Sequence, residues 1–122
     1  MTTLLPTPLI SIASFQLSGR GRGSNIWLSP SGCLQFSLLL RVSRLDLPPA
    51  KLVFIQYLFG LAVVEACNSD AILGNIGKQV RLKWPNDIYA APDSPMGLKK
   101  IGGILVNTSF SGDLIDIVIG KS

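Results

Sequence analysis

The sequence predicts an α+β fold: a mostly antiparallel mixed sheet packed on at least one long helix. Three observations predict it. The stretch over residues 50–67 is apolar nearly all round and long enough for a helix. β-like runs lie on both sides of it. Pro, Gly, Asn and Asp punctuate those runs at short intervals, as hairpin connections require.

The elements follow in order. Residues 10–16 are β-like, with Ile10, Ile12, Ser14 and Gln16 alternating with Ser11, Ala13 and Phe15. A glycine-rich basic loop covers residues 19–25. Ile26-Trp27-Leu28 restarts an apolar segment, and Pro30-Ser31-Gly32 is a turn. Residues 34–42 are long and apolar enough for a central strand. Pro48-Pro49 stands where a helix begins, and Asn68-Ser69-Asp70 ends it. Residues 79–84 and 87–91 read as strands joined at Pro85-Asn86. A loop with two prolines and a glycine spans residues 92–99. Residues 101–110 form a strand with Gly102-Gly103 near its start, which marks either a close approach by ligand or backbone, or a bulge. Ser111-Gly112-Asp113 turns the chain into the returning strand at residues 114–119.

The 122 residues suffice for one domain. At 48% hydrophobic, the chain can build a core. A net charge of +4 suits an anionic ligand or partner without identifying one. There is no histidine, which excludes a Ser–His–Asp triad and any histidine metal site. Cys33 and Cys67 form neither a zinc pattern nor a Cys-x-x-Cys redox pair, and read as reduced core residues of a cytoplasmic protein. The N-terminus has no basic residue before Arg20, and Pro6 and Pro8 interrupt its apolar run, so it does not read as a signal peptide. Residues 52–66 fall short of the roughly 18–20 apolar residues of a membrane span and read as a buried helix.

Gly19-Arg20-Gly21-Arg22-Gly23-Ser24-Asn25 is the most informative short stretch. Alternate glycines permit φ > 0 and bring backbone N–H groups close to an anion. Two arginines add planar charged forks suited to carboxylate and phosphate. A solvated surface loop and a nucleic-acid contact remain open on this stretch alone. It is not a dinucleotide fingerprint, because Ser24 takes the place of the third glycine. Gly120-Lys121-Ser122 is not a P-loop, because Ile115 stands where the first glycine belongs.

Lys83-Trp84-Pro85-Asn86-Asp87 is the second. A lysine between apolar Leu82 and Trp84 loses hydration and acts more strongly on a bound anion. Pro85 stiffens the turn that aims it, and Asn86 and Asp87 have side chains that tie such turns together. An edge-strand lysine before a turn is the plainer alternative.

Together these segments resemble the biotin–protein ligases, or holocarboxylase synthetases. The resemblance runs through residues 13–25, Trp27, Ser29-Pro30 and Gly32-Cys33. It continues through residues 80–89 and through Ile101-Gly102-Gly103-Ile104-Leu105-Val106-Asn107. It covers about residues 11–120 in order and spacing, and two of its stretches look eukaryotic in type. It implies the class II aminoacyl-tRNA synthetase/biotin ligase-like catalytic fold, incomplete here. The reaction implied has two steps. Biotin's carboxylate attacks the α-phosphate of ATP, giving biotinyl-AMP and pyrophosphate. A lysine on a biotin carboxyl-carrier domain of a carboxylase then attacks the acyl-adenylate.

By the same resemblance Lys83, Arg20 and Arg22 are the catalytic residues. Lys83 contacts the biotin carboxylate and the phosphoryl bridge, and the two arginines hold the adenylate. Gly19 and Gly21 belong to that loop, Gln16 contacts biotin at its entrance, and Trp27 closes the adenylate site. Gly103 and Gly120 line the biotin pocket. The family uses Mg²⁺ with ATP, and the chain shows no dedicated metal ligand. Carrier domains are the expected partners, with no nucleic acid and no membrane.

Family members begin with a Ser/Thr-containing segment and a helix, continue past the last strand through Gly-x-Asn, and add a small β domain. Here Met-Thr-Thr-Leu-Leu-Pro opens the chain, and Lys121-Ser122 follows Gly120. Residues 1–122 are therefore expected to be a partial catalytic domain, without the N-terminal part of the biotin pocket and without the C-terminal domain. The alternative function is a truncated, non-catalytic remnant that binds biotin or the carrier weakly.

Overall fold

A computed structural model describes residues 5–92 and 97–122. The predicted loop at residues 92–99 and the opening of the N-terminus fall partly outside those residues. The strands are β1 (Leu9–Ala13), β2 (Gln16–Arg20), β3 (Ile26–Ser29), β4 (Gln35–Ser43), β5 (Val80–Lys83), β6 (Asp87–Ala90), β7 (Lys99–Ser111) and β8 (Leu114–Lys121). Helix α1 is Ile55–Asn68, preceded by a 3₁₀ segment, Pro49–Phe54; a second 3₁₀ segment spans Gly74–Gln79. The chain divides into two compact units. One holds the described residues up to Val53 together with Leu105–Ser122, and the other holds the described residues of Phe54–Ile104.

In the first unit, strands lie in the order β1-β4-β8 with the distal part of β7, and β2 and β3 form a separate antiparallel pair. β4 pairs with β8 over its whole length, from Phe36↔Lys121 to Ser43↔Leu114. Directly opposed residues of an antiparallel pair share a face. This register puts an isoleucine row on one face and a mixed row, with Leu39 opposite Val118 among polar and small residues, on the other. Ile115, Ile117 and Ile119 oppose Val42, Leu40 and Leu38 on one face, and all three isoleucines are fully buried. On the other face Asp116 opposes Arg41 and Gly120 opposes Ser37. β1 extends that second face with Ser11 opposite Ser37 and Ala13 opposite Gln35. Arg41 Nε donates to Asp116 Oδ1 at 2.7 Å, and Asp116 is buried. That hydrogen bond, helped by the carboxylate's charge and opposed by desolvation, raises the Arg41 pKa above its ordinary value.

The second unit pairs β5 with β6, and β6 with the start of β7. Its core is Val80, Ile88 and Ile104. The register slips between Ile88 and Tyr89, which oppose Gly102 and Lys100, so a bulge lies beside Gly102-Gly103 as one of the two readings expected. Helix α1 packs through Gly60, where an added Cβ would meet Leu82 Cδ1 at 2.8 Å. Asn68 Nδ2 donates to the carbonyls of Val64 and Val80, tying the helix end to β5.

Several expectations are corrected. The strand predicted at residues 10–16 breaks after Ala13, and its last residue starts β2. The helix is not covered on most sides: Gly60 is its single buried residue, and Leu58 and Leu61 are exposed. Apolar composition all round says that a helix can be covered, while the neighbours that cover it are set by tertiary contacts. The helical stretch Pro49–Asn68 also runs longer than the apolar window at residues 52–66. By length and composition it is the one stretch among the described residues that is sufficient to cross a membrane. The cysteines are free, as expected, but are not core residues. Cys33 is exposed just beyond the Pro30–Gly32 turn, and Cys67 is half-buried at the end of α1.

Candidate functional site

The polar face of β1, β4 and β8 is the floor of a cavity of about 400 Å³. Short side chains make room for it: Ser11, Ala13, Ser37 and Gly120 leave little above the sheet. Leu105 and Asn107 of β7 continue the floor, and Gln16, Ser18 and Arg20 of β2 also line the cavity. Of the residues singled out from sequence, Gln16, Arg20 and Gly120 thus come together around one space. Gln16 is fixed there, since its Oε1 accepts from the buried Ser29 hydroxyl at 2.7 Å.

The loop after β2 is arranged differently from the sequence expectation. Of its three glycines only Gly23 has positive φ, at 64°. Gly19 is needed for proximity instead: a Cβ there would stand 2.3 Å from the Trp27 carbonyl oxygen across the β2–β3 pair. Gly21 donates its N–H to the Asn25 carbonyl at 2.8 Å, so that group closes the loop and does not point to an anion. Arg20 also borders a second cavity of about 490 Å³, formed with Gly19, Gly23, Ser24 and Asn25. Arg22 is exposed and Trp27 half-buried; neither lines these two cavities.

Lys83 and Gly103 lie in the second unit. Lys83 is exposed at the end of β5, its Nζ 5.5 Å from the Tyr89 ring centroid. The flanking apolar wall expected of Leu82 and Trp84 is not there. Leu82 turns to Gly60, and Trp84, 67% exposed, meets the Tyr57 ring at 6.4 Å. Alternation along β5 puts residues next to Lys83 on the opposite face, so Tyr89 of β6 is its aromatic neighbour. Asn86 and Asp87 also act across strands and not within their own turn. Asn86 Nδ2 donates to the Ile104 carbonyl, Ile104 N–H donates back to the Asn86 carbonyl, both at 2.9 Å, and Asp87 pairs with Lys100 at 2.8 Å. Gly103 has no neighbour closer than 3.9 Å to an added Cβ, so backbone crowding does not require glycine there.

Sequence reasoning missed Gln35. It is 2% exposed, on the cavity floor, and neither amide atom has a hydrogen-bond partner among the described residues. The available signal was a glutamine at the head of β4, beside Phe36.

The model of the biotin/lipoate A/B protein ligase family matches residues 2–122. The chain belongs to that family. Within it, the human biotin–protein ligase is 43% identical over 112 residues, covering 92% of this chain and 14% of the human protein. The solved biotin protein ligase of Leishmania major in complex with biotin superposes with a TM-score of 0.64 at 30% identity, over 93% of this chain and 46% of that one. A second structure of that protein holds biotinyl-5-AMP, with a TM-score of 0.62 at 30% identity over 91% of this chain and 45% of that one. The Aquifex aeolicus ligase with biotin and ATP gives 0.60 at 32% identity, over 91% and 40%. This family member has the biotin protein ligase fold and spans less than half of each of these relatives.

Proposed function

We propose that the protein of which this chain is all or part is an ATP-dependent biotin–protein ligase. The observation that supports this most is the cavity bordered by Gln16, Arg20 and Gly120 on a floor of small residues. Its size suits a small ligand. Its polar face suits a bicyclic urea more than a purely apolar ligand, and Arg20 brings a fixed positive charge to its rim.

The first step joins a carboxylate oxygen of biotin to the α-phosphorus of ATP, and the bond to the β-phosphate oxygen breaks to release pyrophosphate. Negative charge builds on the phosphoryl oxygens, so fixed cations that meet them there favour the transition state over the ground state. Arg20 and Arg22 on the β2–β3 loop, and Lys83 at the end of β5, are assigned that work. Gln16, Gly103 and Gly120 are assigned to the biotin side, Gly19 and Gly21 to shaping the loop, and Trp27 to closing the adenylate site. In the second step a neutral lysine amine of a carrier domain attacks the acyl carbon; AMP leaves, and the nitrogen loses a proton. Mg²⁺ would arrive with the ATP phosphates. No group of three or more Asp, Glu, Cys or His among the described residues is placed to hold a metal, so no step is assigned to a protein-bound ion. We assign the reaction to the cytoplasm, with biotin carboxyl-carrier domains as acceptors.

Incubating the purified full-length protein with biotin and ATP, then adding a carrier domain, tests this. Biotinyl-AMP by mass spectrometry, followed by an acceptor heavier by one biotinyl group, is expected. A folded protein that forms neither, or that forms lipoyl-AMP and no biotinyl-AMP, overturns the proposal. A protein that binds biotin without forming the adenylate matches the non-catalytic alternative.

A further inference from the structure

The cavity floor holds a polar group that the proposed reaction does not use. Gln35 opens β4, opposite Ala13 of β1 and on the same face as Ser11, Ser37 and Gly120. Those four neighbours are small: Ala13 and Gly120 have no side-chain donor or acceptor, and Ser11 and Ser37 have only a short hydroxyl. The result is a carboxamide enclosed in the cavity wall, with both Nε2 and Oε1 unpartnered among the described residues. Buried polar side chains are nearly always hydrogen-bonded, and one left open calls for an explanation. Leucine or methionine would fill the same volume at this position without that cost.

We propose that Gln35 is a ligand-reading residue, whose amide binds the ureido head of biotin. The inference rests on the biotin reading above. A carboxamide carries a donor and an acceptor side by side. Its natural complement is a group with N–H and C=O side by side, such as a cyclic urea. An aliphatic chain, a carboxylate or a dithiolane ring satisfies at most one half of it. Rotation about the Gln35 side-chain bonds swings the amide from the wall into the cavity, where Gln16 already presents an amide held by Ser29. Gln35 thereby adds a second two-way polar contact, and its work is selection of the ligand head group, away from the reacting carboxylate.

The test compares the full-length wild type with Gln35→Leu by calorimetric titration with biotin and by steady-state KM. Loss of one neutral hydrogen-bonding partner is expected to weaken biotin about tenfold in Kd and KM. The KM for ATP is expected to stay within about twofold, and the melting temperature without biotin to hold or rise, since an unpaired buried amide is gone. Gln35→Met, which keeps the side chain long and flexible, replaces the leucine variant if that one fails to fold. Unchanged biotin Kd in a folded variant overturns this inference and leaves the ligase reading standing. Equal weakening of biotin and ATP overturns it too, because that marks a structural role. A folded wild type that binds no biotin overturns the ligase reading and this inference with it.

Discussion

A methyl group on Gly19 would stand 2.3 Å from the carbonyl oxygen of Trp27. The β2 and β3 strands approach so closely there that no side chain fits, and the atom in the way is backbone. Gly19→Ala therefore has to push β3 away or break the pair. It is expected to destabilise by about 1–3 kcal/mol, the usual range for overpacking, and to weaken biotin and ATP together, since Gln16 and Arg20 ride on the same strand. Chemical denaturation read beside ligand titration checks this; an unchanged midpoint would show that β3 yields freely.

Asn86 holds the Pro85 turn to β7 through a reciprocal pair of hydrogen bonds with Ile104. Asn86→Ala strips the Ile104 carbonyl of its side-chain donor at a buried site. The expected loss is about 1–3 kcal/mol of stability. Faster hydrogen exchange at the Asn86–Ile104 bridge than elsewhere in β6 and β7 would locate the damage.

The Arg41–Asp116 pair gives a pH prediction with a fixed sign. The pKa of Arg41 is raised in the folded state by its hydrogen bond to Asp116. A raised folded pKa contributes stability that is fully present below the unfolded value and lost as pH rises through the folded one. For arginine this lies beyond the working alkaline range. Arg41→Lys brings the loss down toward the lysine range, about pH 10.4 and above. The wild-type-minus-variant stability difference should therefore widen only above about pH 10.4, as the lysine discharges. A difference that stays flat above that pH contradicts the assignment.

Most strands were legible because their signals are local. The turn at Ser111–Asp113, with Gly112 at φ 58°, and the isoleucine spacing of β8 define a hairpin without reference to the rest of the chain. The break between β1 and β2 was not legible, since Ser14 and Phe15 fit the same alternation as their neighbours. The 3₁₀ segment at Gly74–Gln79 carries no periodicity. It rests on Gly77 passing so near the Cys67 carbonyl that a Cβ has no place. Exposure of α1 depends on what covers it, which composition does not encode. Gln16 and Gly120 were named through the family resemblance and Arg20 also through its glycine-rich loop; Gln35 was not named, because one amide in a strand has no pattern around it.

The β2–β3 loop, residues 21–25, is held by a pair of backbone hydrogen bonds, Gly21 to Asn25 and Asn25 to Arg22, and its side chains are mostly exposed. Few buried contacts mean a low local opening energy. Amide exchange at residues 21–24 should slow at least several-fold when biotinyl-AMP is bound. Arg22→Ala should release the adenylate to solvent faster. Equal protection with and without ligand would remove the loop from the site.

Lys83 is exposed at the end of β5, so its loss should leave folding intact. If its charge meets the phosphoryl oxygens, Lys83→Ala slows adenylation by about 10²-fold or more, as loss of one oxyanion donor does. Thermal melts overlaid on single-turnover rates separate chemistry from folding. Wild-type rates in a folded Lys83→Ala protein sink the assignment.

Biotin-dependent exchange of labelled pyrophosphate into ATP reports the first step alone and needs no acceptor protein. Exchange by the full-length wild type is expected to require biotin, to find no support from lipoate, and to fall sharply in Lys83→Ala. A folded wild-type protein with no biotin-dependent exchange would contradict the ligase reading.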